Sequence, residues 1–137
     1  MINHEYEVKV YYKDIDQMGF VYYSRYFEYF ESARTELLSS IGLGVSYLEK
    51  KGIYLPVITS YCKYLKAARL EQILLVKTMI SSMPKSKLLL NYSVFTNENH
   101  AEIANGYTEH AFMNEDKKAV KLPMIISSRL NNLKKQD

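Results

Sequence analysis

The sequence has only one cysteine, Cys62, so no disulfide bond can form within the chain. Disulfides are rare in compartments that keep thiols reduced, and this scarcity favours a cytoplasmic protein. No apolar run approaches the roughly 20 residues that a membrane-spanning helix needs. The N-terminal stretch MINHEYEVKV also lacks the basic and then apolar layout of a secretory signal. We therefore expect a cytoplasmic protein without a membrane span.

Histidine is scarce as well. The chain has three, His4, His100 and His110, and none lies between residues 5 and 99. Their spacing matches no zinc-binding pattern, so we expect no metal site. The net charge is +3, and no basic block precedes the pair of lysines that begins at Lys134. Nothing in that charge indicates nucleic acid, and a mildly basic chain is also compatible with a polyanionic small molecule.

A period of two in the apolar residues predicts most of the chain to be strand. Alternation begins in the N-terminal segment EYEVKVYYK and returns after residue 52. In the last alternating segment, the odd-numbered residues from Ala101 to Met113 form the more apolar face. The predicted strands are residues 5–13, 53–66, 70–82, 86–97 and 100–114.

Two helices are predicted between the first two strands. From Ser24, a candidate N-cap, to about Ile41, apolar residues recur every three or four positions, and Gly42 provides a stop. Ser46 and Glu49 have the spacing of a capping box, which predicts a short second helix. A further short helix is predicted over residues 123–133, after Pro123.

The order of these elements indicates an α+β fold. An amphipathic helix among antiparallel strands must bury its apolar stripe against the sheet. We therefore predict a five-stranded antiparallel sheet wrapped around one long central helix, in a single domain over residues 1–137. Such a sheet has open edges and one uncovered face, and self-association is the usual way to cover them.

The segment from Tyr11 to Leu38, YYKDIDQMGFVYYSRYFEYFESARTELL, is the densest in polar and aromatic residues. Its part YKDIDQMGFVYY, followed by FESARTE, resembles the signature of the 4-hydroxybenzoyl-CoA thioesterase-like hotdog family, and the YbgC-like acyl-CoA thioesterases in particular. The dense match covers residues 8–42. The segment KAVKLP at residues 118–123 resembles the way that family leaves its last strand.

The resemblance implies a hotdog fold that dimerises through sheet edges, has its sites at the subunit interface, and hydrolyses an acyl-CoA thioester without a metal. Coenzyme A then enters as part of the substrate, not as a cofactor. The family's catalytic aspartate falls on Asp16 and its glycine on Gly19. The backbone N–H that polarises the carbonyl falls on Tyr23, and a neighbouring tyrosine on Tyr12. YbgC-like proteins often have histidine in place of Tyr23, so the acyl group stays open.

A carboxylate such as Asp16 serves thioester hydrolysis either as a nucleophile or as a general base for water. Unpaired N–H groups at the start of the long helix would hold the developing oxyanion. Phe20 and Val21, in the same loop, are predicted to contact the substrate. Lys85 and Lys87 are candidates for binding the coenzyme A phosphates, with a solvated turn as the equal alternative.

Several residues have simpler interpretations. Asp14 is predicted to be a turn residue, and Tyr12 and Tyr23 serve equally well for packing or for substrate contact. Glu31 and Arg34 are predicted to form an ion pair on the helix, with Glu31 as the reserve catalytic carboxylate. Cys62 is predicted to be a packed residue.

The absence of histidine from the loop and the long helix argues against the hotdog dehydratases, which use a loop histidine. Three functions stay open: an acyl-CoA thioesterase, a thioesterase for acyl groups on carrier proteins, and a non-catalytic acyl-CoA-binding module. The sequence leaves homodimer and homotetramer as alternatives.

Overall fold

The computed structural model describes residues 2–135. Within that range it contains five β-strands and three α-helices, with one short 3₁₀ turn at Tyr12–Asp14. In chain order, the elements are β1 (Ile2–Lys9), α1 (Arg25–Ser40), α2 (Val45–Lys50), β2 (Val57–Tyr64), β3 (Ile73–Ile80), β4 (Leu88–Thr96), β5 (Glu102–His110) and α3 (Met124–Lys135). None of the helices in this range is long and apolar enough to cross a membrane.

The five strands form one antiparallel sheet in the order β1–β3–β4–β5–β2. The predicted α+β fold with a five-stranded antiparallel sheet is therefore confirmed. Each strand is shorter than its prediction or shifted from it. The segment predicted as 53–66 becomes a regular strand only at Val57, because Pro56 has no N–H to donate to a ladder.

The first strand was predicted at residues 5–13, but it ends at Lys9. Beyond it the chain turns into the 3₁₀ segment, where the Asp14 N–H donates to the Tyr11 carbonyl oxygen at 2.9 Å. The aromatic residues at positions 11 and 12 therefore belong to a turn, not to the sheet. This early departure from the sheet leaves room for the loop that precedes α1.

Helix α1 packs against β1 and β3. Its buried stripe includes Tyr26, Phe30, Ala33 and Leu37, as the helical period predicted. Phe30 stacks on Tyr92 of β4, with ring centroids 4.2 Å apart and planes inclined by 6°. This stack fixes the middle of α1 over the centre of the sheet.

The helix starts differ from their predictions. Ser24 occupies the N-cap position of α1, but its side chain makes no capping hydrogen bond. The predicted capping box of Ser46 and Glu49 is wrong: the N-cap of α2 is Gly44, two residues before Ser46, the helix begins at Val45, and no side chain caps it. The first helical bond, from the Leu48 N–H to the Gly44 carbonyl oxygen, is 2.9 Å long and already places Ser46 inside the helix.

Strand β5 contains an irregularity that changes which residues face the core. Its pairing with β4 shifts between Val94 and Phe95, and both Ile103 and Ala104 are buried there. Beyond this point Thr108 and His110 point inward. The odd-numbered residues were predicted to share one face, but along this strand an extra residue reverses the faces, so that even-numbered residues are buried in its second half.

Candidate functional site

The loop between β1 and α1 is attached by its backbone to the segment that precedes β3. The Val10 N–H donates to the Gln72 carbonyl oxygen, and the Val21 N–H donates to the Ala68 carbonyl oxygen, each at 2.9 Å. These bonds hold both ends of the loop beside the sheet. The loop therefore lies at the N-terminal end of α1, where the sequence predicted the site.

Asp14 is a buried turn residue, with 4% of its surface exposed. Its Oδ2 accepts a hydrogen bond from the Tyr11 N–H at 2.9 Å, and its Oδ1 lies 3.8 Å from Arg25 Nε. Arg25 also donates to the Lys13 carbonyl oxygen and to the Glu28 carboxylate. Asp14 and Arg25 thus join the 3₁₀ turn to the first turn of α1.

Asp16 closes the tighter part of the loop. Its Oδ1 accepts hydrogen bonds from the N–H groups of Met18 at 2.9 Å and Phe20 at 3.2 Å. Within residues 2–135, its Oδ2 has no hydrogen-bond partner. Gly19 has a φ of +82°, and a Cβ placed there would meet nothing within 4 Å, so the backbone conformation and not crowding favours glycine.

The loop leads from Asp16 to the start of α1. In the part of the chain that the structure describes, the N–H groups of Tyr23 and Ser24 have no acceptor. The Tyr64 hydroxyl, from β2, donates to the Tyr23 carbonyl oxygen at 3.0 Å and so fixes this turn. The Tyr23 side chain is 59% exposed. The unpaired N–H groups carry partial positive charge at a helix start.

Electrostatics connect the loop to the helix start. The Tyr22 and Tyr23 rings lie with their centroids 4.6 Å apart. Interaction with Tyr23 raises the pKa of Tyr22 above its usual value, and the negative charge of Asp16 raises it further. The Asp16 carboxylate therefore acts on the same surface as the two tyrosines.

The other loop residues are placed differently. Tyr12 is exposed in the 3₁₀ turn, whereas Val21 is buried in the core. Phe20 lies under the Arg69 guanidinium, with 4.8 Å between the guanidinium carbon and the ring centroid. Arg69 is a cation near the loop that the sequence reasoning missed, because it lies in a break between predicted strands and has no periodic signal.

Lys85 and Lys87 lie in the connection between β3 and β4, far from this loop. Ile80, at the end of β3, pairs with Ile2, whereas Ile73, at its start, pairs with Lys9 beside the loop. Eight strand residues span about 25 Å. The structure therefore does not bring these lysines to Asp16 within one chain.

A second feature is a cavity of about 200 Å³ along the C-terminal half of α1. It lies between α1, α2, residues 53–55 and strands β4 and β5, and Arg34 and His110 are among its lining residues. The predicted ion pair of Glu31 with Arg34 is wrong, since within residues 2–135 no carboxylate oxygen lies within 4.0 Å of Arg34. The helical pair forms instead between Arg25 and Glu28, at 2.9 Å.

A chain of hydrogen bonds lies beneath this cavity. The Tyr92 hydroxyl is 2.7 Å from Thr108 Oγ1, which is 2.8 Å from His110 Nε2. His110 Nδ1 is 3.0 Å from the Leu55 carbonyl oxygen. Burial lowers the pKa of His110, the bond to Leu55 opposes that effect, and the charge of Arg34 lowers it further. The sequence reasoning missed this network because the bulge in β5 turned His110 inward.

Cys62 is half-buried in β2, and burial raises the pKa of its thiol to about 11. Few thiolates form at neutral pH under these conditions, so Cys62 is a packed residue and not a ready nucleophile.

The fold and the site together define a class of proteins. Five antiparallel strands carry a long helix on one face, and an acidic loop ends at the start of that helix, as in hotdog-fold proteins. The model of the thioesterase-like superfamily matches residues 10–130. The chain therefore belongs to the thioesterase-like superfamily, which confirms the family predicted from its loop.

Individual proteins support this membership. The acyl-CoA thioesterase YbgC of Haemophilus influenzae is 35% identical over 91 residues, which cover 66% of this chain and 67% of that protein. The structure of DHNA-CoA thioesterase from Staphylococcus aureus superposes with a TM-score of 0.89 at 26% identity, covering 98% of this chain and 93% of the other. A mutant 4-hydroxybenzoyl-CoA thioesterase shares the fold, with a TM-score of 0.84 at 15% identity over 94% of this chain and 99% of the other.

Proposed function

We propose that this protein hydrolyses an acyl-CoA or aryl-CoA thioester to the free acid and coenzyme A. Membership of a thioesterase family and similarity to a protein named acyl-CoA thioesterase support the reaction. The observation that carries the assignment of the site is the placement of Asp16. Two loop amides orient one of its carboxylate oxygens, and within residues 2–135 the other oxygen accepts no hydrogen bond. The Tyr23 N–H, which has no acceptor in the same range, lies farther along this loop, where α1 begins.

In this proposal the Tyr23 N–H binds the carbonyl oxygen of the thioester. If Asp16 is the nucleophile, its Oδ2 attacks the carbonyl carbon, negative charge develops on the oxygen at Tyr23, and the C–S bond breaks to release the thiolate of coenzyme A. Water then hydrolyses the mixed anhydride and regenerates the carboxylate. If Asp16 is the base, it removes a proton from the water that attacks. Both routes use the same two groups.

The loop also supplies the substrate surface. Tyr12 and Tyr23 are exposed in this loop and Phe20 is half-buried there, and we assign all three to contacts with the thioester arm. Val21 supports this surface from below, since it is buried in the core. We assign the coenzyme A phosphates to Lys85 and Lys87 of a second copy of the chain, because in their own chain these lysines lie at the other end of the sheet.

A second copy fits the edge of the sheet at β2. This outermost strand carries a row of exposed large apolar side chains, and an exposed apolar edge strand usually pairs with another chain. The row consists of Val57, Ile58, Tyr61 and Tyr64, and Leu65 directly after the strand is exposed as well. We propose that two copies associate along β2, as a homodimer or within a homotetramer. The reduced thiol of Cys62 is compatible with a cytoplasmic location.

Sedimentation equilibrium tests the association. The wild-type protein should sediment at twice or four times the mass of one chain, and Ile58→Lys should shift it towards a single chain, because a charge would be buried at the edge. Met124→Lys, which changes a more exposed apolar residue on α3, is the control and should keep the wild-type mass. A wild-type protein that sediments as one chain would refute the proposal.

Asp16→Asn tests the catalytic role. The asparagine Oδ1 can accept the same two loop amides, so the turn is kept and only the charge is lost. We expect kcat/KM for release of free thiol, measured over a panel of acyl-CoA and aryl-CoA thioesters, to fall about 100- to 1000-fold. The control Glu36→Gln neutralises an exposed carboxylate on α1 and should change the rate little.

Other outcomes of these assays would change the assigned residue or the proposed function. If Asp16→Asn keeps most of its turnover, the assignment is wrong, and a large loss in Glu31→Gln would move the role to the helix. Hydrolysis of acyl-carrier-protein substrates in preference to matched acyl-CoA substrates would make this a carrier-protein thioesterase. Retention of acyl-CoA without any release of thiol would make it a binding module.

A further inference from the structure

The cavity beside the C-terminal half of α1 has the size of a small-molecule site. Its volume is about 200 Å³, and an engineered cavity of roughly 150 Å³ with apolar walls binds benzene. The room is therefore sufficient for one substituted ring or a short aliphatic chain. The apolar part of the wall comes from four elements that are distant in sequence, and includes Leu38, Leu48, Leu55 and Leu90.

A guanidinium group faces this cavity. Arg34 is half-buried on the wall, and in residues 2–135 it forms no ion pair. A half-buried guanidinium loses part of its hydration, and that cost is normally offset by a carboxylate or by several neutral acceptors. Arg34 interacts with the buried Tyr92 hydroxyl: burial raises the pKa of Tyr92, and the bond to Thr108 and then the charge of Arg34 partly lower it again.

The hydrogen-bond chain of Tyr92, Thr108 and His110 supplies no anion to Arg34. A carbonyl oxygen only accepts, so His110 Nδ1 must carry the proton that bonds to Leu55. With His110 neutral, Nε2 accepts from the Thr108 hydroxyl, and Thr108 in turn accepts from the Tyr92 hydroxyl. Each O–H or N–H donor in this series of hydrogen bonds donates to the next member or to Leu55, so Tyr92 can offer Arg34 only a lone pair of its hydroxyl oxygen. The guanidinium therefore keeps N–H groups free for a ligand.

The rim of the cavity limits what that ligand can be. Glu31 and Glu49 line it and are exposed. These two carboxylates repel a multiply charged anion such as a phosphate chain. Salt screens exposed charges over about 10 Å, so the repulsion of a singly charged ligand is weak. A single carboxylate that reaches Arg34 gains a bidentate, charge-assisted pair.

We propose that this cavity binds a small monocarboxylic acid, with its carboxylate on Arg34 and its aromatic ring or short chain against the leucines. Such acids are the chemical class that hydrolysis of an acyl thioester releases. The binding itself does not depend on the proposed hydrolysis, and it is separate from the site at Asp16.

Titration with benzoate and with hexanoate tests the proposal, using calorimetry and the methyl NMR signals of the protein. We expect a single site whose binding shifts the methyl signals of Leu38, Leu48 and Leu90. Benzamide, a neutral analogue of benzoate, should bind about 10- to 100-fold more weakly, because it lacks the charge that pairs with the guanidinium.

Variants separate this cavity from the catalytic loop. Arg34→Met keeps the length of the side chain and should weaken benzoate binding about 10- to 100-fold. Lys50→Met removes a positive charge from α2 outside the cavity wall and should leave the affinity unchanged. Asp16→Asn should also bind benzoate as the wild type does, whether or not it hydrolyses thioesters.

Three results would overturn the proposal. One is equal affinity for benzamide and benzoate, and another is unchanged affinity in Arg34→Met. The third is a set of shifted methyl signals that excludes Leu38, Leu48 and Leu90. The first and third need only the wild-type protein, so the test does not depend on Arg34→Met folding.

Discussion

The two ends of α1 carry polar groups in contrasting ways. At its start, backbone amides of the loop orient Asp16, and the N–H groups of Tyr23 and Ser24, which have no acceptor within residues 2–135, lie in the turn just before the helix. Along its second half, Arg34 faces a cavity whose walls come from α2, β4 and β5. The first arrangement is local in sequence, and the second is assembled only by packing. The proposed site at the start of α1 therefore depends on backbone groups, whereas the proposed site along its second half depends on side chains.

Asp14 and Asp16 should differ in how much each contributes to the free energy of unfolding. Asp14→Ala should lower the free energy of unfolding by about 2–3 kcal/mol, because it removes a buried bond to Tyr11 and leaves Arg25 without its buried partner. Asp16→Ala should cost only about 1 kcal/mol, since water can reach the two amides that it leaves unpaired. Urea denaturation of both variants measures the difference.

Asp16→Asn is the control for that pair, and it should stay within a few tenths of a kcal/mol of the wild type because both amide bonds are retained. A larger loss for Asp16→Ala than for Asp14→Ala would contradict the assignment of Asp14 as the structural residue of the loop and Asp16 as the chemical one.

A smaller effect is expected at the cavity, where His110 should make the stability of the protein depend on pH. Burial holds the pKa of His110 below its usual value near 6.5. As the pH falls below about 6.5, the unfolded chain binds a proton that the folded chain does not, so the folded state loses stability until the pH reaches the lowered pKa of the folded state. The loss is at most about 1.4 kcal/mol per pH unit.

His110→Gln should reduce this dependence. The free energy of unfolding, measured between about pH 7.5 and about pH 5, should fall less steeply in this variant than in the wild type, even though its value is lower throughout. The control His100→Gln changes an exposed histidine and should keep the wild-type slope. An unchanged slope in His110→Gln would show that His110 does not remain neutral in the folded protein.

The loop motif and the long helix were predictable because their signals are local. The motif from Tyr12 to Tyr23 and the three-to-four-residue period of α1 each involve residues that are close in sequence. The conformation of a turn also depends mainly on neighbouring residues. The network of Tyr92, Thr108 and His110 had no such signal. A single bulge in β5 reversed the inward face, and the pairing that causes it involves residues of another strand.

By itself, the sequence determined the family, the α+β class, the position of α1 and the acidic loop before it, since each depends on residue types at fixed short spacings. Only the tertiary structure decided that Asp14 is buried while one oxygen of Asp16 has no hydrogen-bond partner in residues 2–135. It also decided that Lys85 and Lys87 lie away from that loop, and that Arg34 lines a cavity and forms no ion pair with Glu31. Those outcomes depend on which strands pair and in which register. Pairing over such distances is set by the burial of the whole core, which no short stretch of the chain encodes.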